Sequence, residues 1–526
     1  MNKQQMFDSI NSTSLSQAKL LKFSRYLSLF LIISGIAIRL IQYFNNRSLW
    51  FDEVNLALNI VNRSYGELTQ TLDHNQAAPL GFLWVEKLAT QIFGNNEYAL
   101  RLFPLVSNLV AFGVFYQLVY RYASPLAAPI AIALFAFGRH TLYFATELKQ
   151  YSSDIAIALI LFWFLTKIGH KILNTQEIIG YALLGSLVIW FSHPSIFMLG
   201  GIEGYYLLTA ANKLRFKILN NRLLVYLAWL ISFGLFYFLT IANTMNNEDL
   251  ASSWSSRYPA TFWDIEWLFD ALGRFFYNPM GFTGITDGIG IFAFIFGCVA
   301  WYSKNRAFLG ALIAPFVATL IAAYLHQYPF RERLVVFLVP LGIIIIAEGI
   351  AWLLNKFQTA KVIKNNRFKT SLLAGLLGAF CLVALTIPPI TRASNFIIHP
   401  ELKHEIRPVA EYVLSHKQPG DTIYVYSLGA QAFTYYAARL GYSEQDYILG
   451  LGNLSYKDKE ATQNWQELRT DIEPLRGKSR VWFVLRAEED EETAILEYLN
   501  QIGQQIDVFK QPGAWAHLYD LSKVRR

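Results

Sequence analysis

Eleven apolar blocks of about 15 to 22 residues most constrain what this chain of 526 residues can fold into. A helix needs roughly 20 such residues to cross a hydrocarbon core of about 30 Å. The pattern therefore predicts a polytopic α-helical membrane protein with about 11 transmembrane helices. The blocks lie at 26–44, 99–120, 124–141, 153–168, 178–192, 195–210, 223–243, 283–302, 307–325, 334–354 and 371–390.

Lysine and arginine are concentrated in alternate loops between these blocks. With a cytoplasmic N-terminus, the inner segments hold 18 Lys and Arg and only two acids, Asp8 and Glu177. Because positively charged loops stay on the cytoplasmic side, this asymmetry predicts that orientation. It also accounts for the net charge of +7 without any nucleic-acid partner. The inner segments are 1–25, 121–123, 167–177, 211–222, 303–306 and 355–369.

Composition divides the chain into three parts. We predict a cytoplasmic N-terminal segment at 1–25, a transmembrane domain at 26–390 with a first outer loop at 45–98, and an extracytoplasmic region at 391–526. No block in the last part is long enough to span. Helix-like and strand-like stretches alternate there and predict a small α/β domain. They are KHEIRPVAEYVLSHKQ, GDTIYVYS, AQAFTYYAARLG, RVWFVL and EEDEETAILEYLNQIG.

Two adjacent carboxylates, Asp52 and Glu53, stand in the first outer loop, where stretches 50–62 and 79–93 predict amphipathic helices. Carboxylates beside apolar surface are costly unless they are solvated or paired. A structural interpretation is a solvated interfacial pair, or an N-cap formed by Asp52. A chemical interpretation is a general base that removes a proton from an acceptor hydroxyl. From these residues alone both interpretations stay open.

Two further polar stretches lie at the outer ends of predicted spans. TELKQYSSD contains Glu147, Lys149 and Tyr151, and HQYPFRERL contains Arg331 and Arg333. Positive residues are disfavoured on the outer side, so the arginines indicate an anion such as a lipid phosphate. The structural alternatives are a snorkelling lysine in the first stretch and, in the second, an arginine contact with the intervening glutamate or a lipid headgroup.

Several other polar residues are candidates for the same outer region. Asp73 and His74, in LDHNQAAPLGFL, are too few ligands to predict a metal site, although a divalent cation stays open as a cofactor. Arg39, Arg101 and Arg139 lie near outer ends of spans. Each could snorkel or could pair with the carboxylates of the first outer loop.

Glu203 lies in the middle of an apolar block rich in glycine. An ionisable residue within a span is a functional candidate by default. We favour a packed, hydrogen-bonded pair between this carboxylate and a neighbouring side chain.

The order of these motifs resembles that of the bacterial membrane glycosyltransferases of family 39. This family is related to the protein O-mannosyltransferases and the lipid A aminoarabinose transferases and has the GT-C architecture. The resemblance covers roughly residues 20–350, and the C-terminal domain matches in type. It depends on SLWFDE, on DHNQAAPLGFLWVEKL leading to NNEYALRLFP, on ELKQYSSD, and on YPFRERLVVFLVP.

The resemblance implies a polyprenyl-phosphate-linked sugar as donor. It implies that Asp52, with Glu53 beside it, is the base or positions the acceptor. A basic residue of the second outer loop would contact the donor phosphate; relatives often carry arginine there, whereas this chain has Lys149, which lacks a planar bidentate fork. Arg333 would provide another phosphate contact. Relatives often read Pro-Pro where this chain has Ala78-Pro79.

Arg331 and Tyr151 complete the predicted donor-phosphate set. The remaining site candidates are Glu147, Asp73, His74, Arg101 and Arg139. The expected reaction is transfer of a sugar to an acceptor hydroxyl at the extracytoplasmic face of a bacterial plasma membrane. A single displacement would invert the anomeric carbon. The expected partners are the lipid-linked donor, an acceptor glycan, lipid or protein, and membrane lipids.

Two other function classes compete with this prediction. A transporter or flippase of lipid-linked sugars would show paired repeats and polar groups near the midplane of the membrane. This chain shows no repeat, and its polar motifs lie on one side, which favours the enzyme. A non-catalytic scaffold predicts that substitution of Asp52 leaves cells unchanged.

Overall fold

Helices dominate a computed structural model of the chain, which describes residues 3–242, 257–360, 367–451, 454, 461–486 and 489–522. Two compact units are distinguished: Met1–Phe44 with Arg63–Pro400, and Asn45–Asn62 with Glu401–Arg526. The helices up to the end of the first unit are α1 (Lys3–Phe44), α2 (Phe51–Asn62), α3 (Leu80–Phe93), α4 (Glu97–Tyr122), α5 (Ala127–Phe137), α6 (Arg139–Tyr143), α7 (Tyr151–Ile168), α8 (Thr175–Phe191), α9 (Ser195–Thr209), α10 (Asn212–Phe236), α11 (Ile265–Tyr277), α12 (Ile285–Lys304), α13 (Arg306–Tyr324), α14 (Val339–Ala360) and α15 (Arg367–Ile398).

Membrane-spanning helices form most of the first unit. Over the described ranges, eight helices are long and apolar enough to cross a membrane, and a ninth span results if α5 and α6, bent by 57°, count as one. The bend falls at Gly138, between the two helices. The other two predicted blocks, 178–192 and 195–210, lie on α8 and α9, which have only 17 and 15 residues. All eleven blocks are therefore helical, and the predicted polytopic fold is confirmed.

One span forms the core of the first unit. In Glu332–Lys356, 94% of the apolar window is buried inside the protein, compared with 22% in Asn212–Thr240. This span begins with a 3-10 turn, Glu332–Leu338, which packs against α7 and continues into α14. Because the turn is part of the most buried span, the residues at its start have a fixed position relative to α7.

The predicted amphipathic helix of 79–93 is α3. It buries Leu80 and Leu83, while Trp84, Leu88 and Ile92 are exposed. Positions three and four apart share a helix face, so this pattern gives one buried and one exposed side. α3 packs against α4 and α8.

The second unit is an α/β domain. Its sheet contains β1 (Thr422–Val425), β2 (Ile448–Leu449), β3 (Val481–Leu485), β4 (Gln504–Gln511) and β5 (Ala514–Asp520), in the order β2-β1-β3-β5-β4. β1 pairs in parallel with β2 and β3, whereas β5 is antiparallel to β3 and β4. Its other helices are α16 (Ile406–His416), α17 (Ala430–Arg439), α18 (Ala461–Ile472) and α19 (Glu489–Ile502). The prediction of a small α/β domain is confirmed. Of the five strands, the sequence predicted β1 and β3.

α2 also belongs to this second unit, although the sequence assigned it to the loop of the transmembrane domain. It packs against α17, and Val54, Leu56 and Ala57 are completely buried. The amphipathic helix predicted at 50–62 is therefore present. Within the α/β unit, this helix packs on α17.

Candidate functional site

The two adjacent carboxylates lie in the first turn of α2. The carbonyl of Trp50 accepts the N–H groups of Glu53 and Val54, both at 2.9 Å, so Trp50 is the N-cap residue. The buried Glu53 side chain accepts the Trp50 N–H at 3.2 Å, which is half of a capping box. The interpretation of Asp52 as N-cap is therefore wrong, because Asp52 lies inside the helix. Glu53 contributes to the cap instead.

Asp52 is partly buried beside an arginine of its own unit. Arg486 experiences the charge of Asp52, and its guanidinium lies 4.9 Å from the centre of the Phe51 ring. Burial lowers the pKa of Arg486, and the charges of Glu491 and Asp52 oppose this shift. A helix N-terminus and a neighbouring cation both favour the charged form of a carboxylate. That form is the one a general base requires.

Lys149 lies buried immediately before α7, and its ammonium donates to the Gln76 side chain at 2.6 Å. Gln76 in turn donates to the carbonyl of His74 at 3.1 Å. Glu147 is buried next to the lysine, and its carbonyl accepts the Lys149 N–H at 2.7 Å. The structure thus brings together the motifs DHNQAAP and ELKQYSSD.

Arg333 and Tyr151 come together where the 3-10 turn packs on α7. The guanidinium carbon of Arg333 lies 5.9 Å from the centre of the buried Tyr151 ring, which itself packs at 4.6 Å on the ring of Phe144. Since Tyr151 is two residues after Lys149, the contact places both predicted phosphate-binding motifs in one region of the first unit.

Arg331 is held by an acid that the sequence did not indicate. Its Nη2 donates to Asp270 at 2.5 Å, and Arg274 donates to the same carboxylate at 2.7 Å. Burial raises the pKa of Asp270, but hydrogen bonds from Arg274 and Arg331 outweigh it and hold the pKa below its ordinary value. The alternative of an ion pair with Glu332 is wrong for Arg331, because Glu332 pairs with Arg257 at 2.6 Å.

The second terminal nitrogen of Arg331 has a different environment. Nη1 is buried and has no hydrogen-bond partner among the described residues. A buried donor without an acceptor is unfavourable by about 1–3 kcal/mol. Arg331 is thus anchored through one nitrogen and retains a donor that an anion would satisfy.

Asp73 and His74 lie in an exposed turn of the first unit. Asp73 pairs with Arg63 at 2.8 Å, and His74 adopts a positive φ of 59°. Over the part of the chain that the structure describes, no group of three or more His, Cys, Asp or Glu is arranged to hold a metal ion.

The three arginines near span ends have different environments. Arg39 is completely buried and makes five hydrogen bonds, to the Asn108 side chain and to four backbone carbonyls. Because a guanidinium has five donors, the expectation that Arg39 pairs with Asp52 or Glu53 is wrong. Arg101 is buried in α4, whereas Arg139 is exposed at the start of α6.

Glu203 forms the predicted buried pair. Arg222 donates to both carboxylate oxygens at 2.8 Å, and Tyr181 and Tyr226 donate at 2.5 and 2.7 Å. This prediction is confirmed. The carboxylate accepts four hydrogen bonds from three side chains, so Glu203 stabilises the packing of α8, α9 and α10.

Sequence reasoning missed Gln76, Asp270 and Arg486. Gln76 carries a signal, since it lies inside a motif that the resemblance used. Asp270 lies 61 residues before its partner Arg331 in the sequence. Arg486 lies 434 residues after Asp52. No spacing rule indicates contacts over such separations.

These features define a class: a polytopic membrane protein with the GT-C type of fold and a small α/β domain. The chain is similar over 93% of its length to ArnT from Cupriavidus metallidurans. The apo structure matches with a TM-score of 0.51 and 13% identity over 97% of ArnT. The structure bound to undecaprenyl phosphate matches with a TM-score of 0.50, 12% identity and the same coverage.

A third solved structure, an oligosaccharyltransferase from Archaeoglobus fulgidus, has a TM-score of 0.45 and 12% identity, covering 93% of this chain and 72% of that one. No protein-family model and no curated protein sequence matches the chain. The similarity to ArnT at this identity establishes the fold. The resemblance inferred from the motifs is thereby confirmed at the level of fold.

Proposed function

We propose that this chain is an integral-membrane glycosyltransferase of the bacterial plasma membrane. It transfers a sugar from a polyprenyl-phosphate-linked donor to an acceptor hydroxyl on the extracytoplasmic side. The acceptor belongs to a glycan, a lipid or a protein. Support comes from the whole-length fold similarity to ArnT, one structure of which is bound to undecaprenyl phosphate.

The observation that carries the proposal is the proximity of two cationic motifs in the first unit. Arg333 lies over Tyr151, two residues from the buried Lys149, and Arg331 has a buried Nη1 without a partner among the described residues. A buried cationic group is unfavourable unless hydrogen-bond acceptors or an anion satisfy it. A lipid phosphate at the membrane edge satisfies that requirement.

The chemistry assigns a role to each motif. Asp52 accepts the proton of the acceptor hydroxyl while that oxygen forms a bond to the anomeric carbon. The bond between the anomeric carbon and the phosphate oxygen breaks, and the polyprenyl phosphate leaves with the electron pair. Lys149, Arg331 and Arg333 stabilise the negative charge that develops on this leaving group. Because attack occurs opposite the leaving group, the product has the inverted anomeric configuration.

The orientation is part of the proposal. The excess of Lys and Arg in alternate loops supports a cytoplasmic N-terminus and an extracytoplasmic α/β unit. A lipid-borne donor and an extracytoplasmic acceptor then meet at the outer membrane surface.

Mass spectrometry of glycans and lipid-linked sugars tests this function. A deletion strain should lose one glycan species and accumulate the corresponding lipid-linked sugar. Complementation with Asp52→Asn should fail at normal protein level. The matched control is Asp446→Asn in the same unit, because the Asp446 side chain accepts hydrogen bonds from Ser443 at an exposed turn, away from α2 in sequence. This control should restore the glycan.

Three results would contradict parts of the proposal. Retained transfer by Asp52→Asn would refute the role of Asp52 as base. Retention of the donor's anomeric configuration in the product would refute inversion. If deletion changes only the membrane side on which the lipid-linked sugar is found, the chain is a transporter.

A further inference from the structure

The α/β unit has a position at which such sheets usually bind ligands. In open α/β sheets, ligands bind outside the carboxyl ends of parallel strands, at the point where successive connections diverge. Here β1 is flanked by its parallel partners β2 and β3, so this switch point lies between β1 and β3. The residues that follow these strands therefore surround the place where a ligand is expected.

Arg486, the first residue after β3, bridges this switch point. Its Nη1 donates to the carbonyl of Leu428, which follows β1, at 2.7 Å. Its Nη2 lies 3.4 Å from Nε2 of His404. Its Nε is buried and has no hydrogen-bond partner in the described parts of the chain. The arginine is thus fixed by both strand ends and retains one buried donor.

The occupant of this place is a segment of the same unit, residues 48–52, which we call the lead segment of α2. The Arg486 guanidinium covers the ring of Phe51 at 4.9 Å, and the charge of Asp52 acts on Arg486. A piece of chain more than 400 residues away in sequence thus lies where such a domain would otherwise bind a ligand.

The α/β unit holds the lead segment at successive residues. The Glu405 carboxylate accepts the N–H of Ser48 at 3.1 Å and its hydroxyl at 2.8 Å. The hydroxyl of Tyr436 accepts the N–H of Leu49 at 2.7 Å. The ammonium of Lys403 lies 4.1 Å from the centre of a Trp50 ring.

Several charged groups lie around Arg486 and the lead segment in this unit. Glu53 follows it in α2, Lys403 and His404 precede α16, Arg486 follows β3, and Glu491 belongs to α19. Burial and the charges of Arg486 and Lys403 lower the pKa of His404 to about 4, so His404 is neutral at physiological pH. Arg486 is the cation on which the charge of Asp52 acts, and Lys403 lies over the preceding residue, Trp50.

We propose that Arg486 is a positioning residue, which orients Asp52 and supplies the positive charge beside it. On this view the α/β unit uses the ligand position of its sheet to hold the segment that carries the base. The inference rests on the proposed function, since it presupposes that Asp52 is the base. A purely structural arginine would stabilise the unit without affecting how Asp52 is protonated.

The chain offers a matched control at the other end of the same strand. Arg480 immediately precedes β3 and pairs with Asp421 at 2.7 Å. Arg480→Gln removes an arginine from the same strand and unit but leaves the lead segment untouched. The test variants are Arg486→Gln and Arg486→Lys, with Asp52→Asn as the control for the function itself.

The assay follows the glycan species that disappears on deletion. Membranes from the deletion strain supply donor and acceptor, and each purified full-length variant is added between pH 5 and 9. We expect Arg486→Gln to lower the rate about 10- to 100-fold and to move the acid limb of the profile up by about one pH unit. Without the neighbouring cation, a carboxylate is protonated more easily. Arg486→Lys should retain much of the rate, and Arg480→Gln should match the wild type.

A second measurement is independent of activity. Hydrogen exchange of the backbone amides of residues 48–56 should increase about tenfold or more in Arg486→Gln but not in Arg480→Gln. The inference is overturned if Arg486→Gln leaves both the acid limb and the exchange unchanged. It is also overturned if Arg486→Gln lowers only the amount of folded protein, while the folded fraction has the same acid limb as Arg480→Gln. Transfer retained by Asp52→Asn would refute the base and not the anchoring, which the exchange measurement decides by itself.

Discussion

Each unit contains an arginine whose guanidinium is hydrogen-bonded within the protein. The two arginines differ in whether all of their N–H donors have a partner. Arg39 in the first unit is fully buried, and its five hydrogen bonds go to Asn108 and four carbonyls. Arg486 in the second unit is partly buried, contacts Phe51, and has a buried Nε without a partner among the described residues. A saturated arginine stabilises the fold, whereas one with a remaining donor can act on a neighbouring carboxylate or an anion.

The same distinction separates other charged groups. The Glu203 carboxylate accepts four hydrogen bonds and serves packing. Arg331 is anchored by Asp270 but has a buried Nη1 without a partner in the described residues. Groups that the fold anchors but does not saturate are therefore the best candidates for chemistry. The following predictions test this distinction.

The largest effect is expected from Arg39→Gln. The shorter side chain leaves several buried carbonyls without a donor, each unfavourable by about 1–3 kcal/mol, so the total loss is about 3 kcal/mol or more. The yield of monodisperse protein in detergent, measured by fluorescence-detected size exclusion, should fall severely. Arg486→Gln should still give a monodisperse peak. Equal yields of the two variants would remove the contrast between these arginines.

Arg331→Gln should weaken binding of undecaprenyl phosphate about tenfold, which corresponds to about 1.4 kcal/mol. The substitution removes the guanidinium whose buried Nη1 is expected to donate to the phosphate. Native mass spectrometry of the purified protein with added undecaprenyl phosphate measures this change. The control is Arg274→Gln, which removes the more exposed arginine bound to the same Asp270 carboxylate. If both variants bind the lipid alike, Nη1 of Arg331 has no role in phosphate binding.

Glu86→Gln should increase stability in a pH-dependent way. Glu86 is completely buried in α3, neither of its oxygens has a partner in the described ranges, and desolvation raises its pKa well above 4.5. Because the folded pKa is raised, the wild type loses stability as the pH rises above about 4.5 towards that pKa. The variant should unfold at a higher temperature than the wild type at pH 8, and this gain should be clearly smaller at pH 5. A gain of the same size at both pH values would contradict this explanation.

The smallest effect is expected from Tyr226→Phe. It removes one of the four hydrogen bonds to Glu203, worth about 1 kcal/mol, and leaves Arg222 and Tyr181 in place. The apparent melting temperature should fall slightly, and glycan transfer in the complemented deletion strain should be unchanged. A loss of transfer would show that the Glu203 cluster has a role beyond packing.

Much of the architecture follows from local patterns. Every apolar block is helical because its length and composition are local properties. α16, α17, β1, β3 and α19 were likewise predictable from short periodic stretches. β4 was not, since QQIDVFKQ contributes a largely exposed strand at the sheet edge and buries little apolar surface.

The sequence by itself determined the number of apolar blocks, the presence of an α/β domain and the chemical types available: a carboxylate pair in one motif and cations in two others. Only the tertiary structure decided which acid contributes to the α2 cap, that Gln76 and Asp270 hold Lys149 and Arg331, and that residues 48–52 lie against Arg486. The physical reason is the distance along the sequence between the residues that interact. Helix formation depends on neighbours three and four positions away, whereas these contacts join side chains that come together only when distant elements pack.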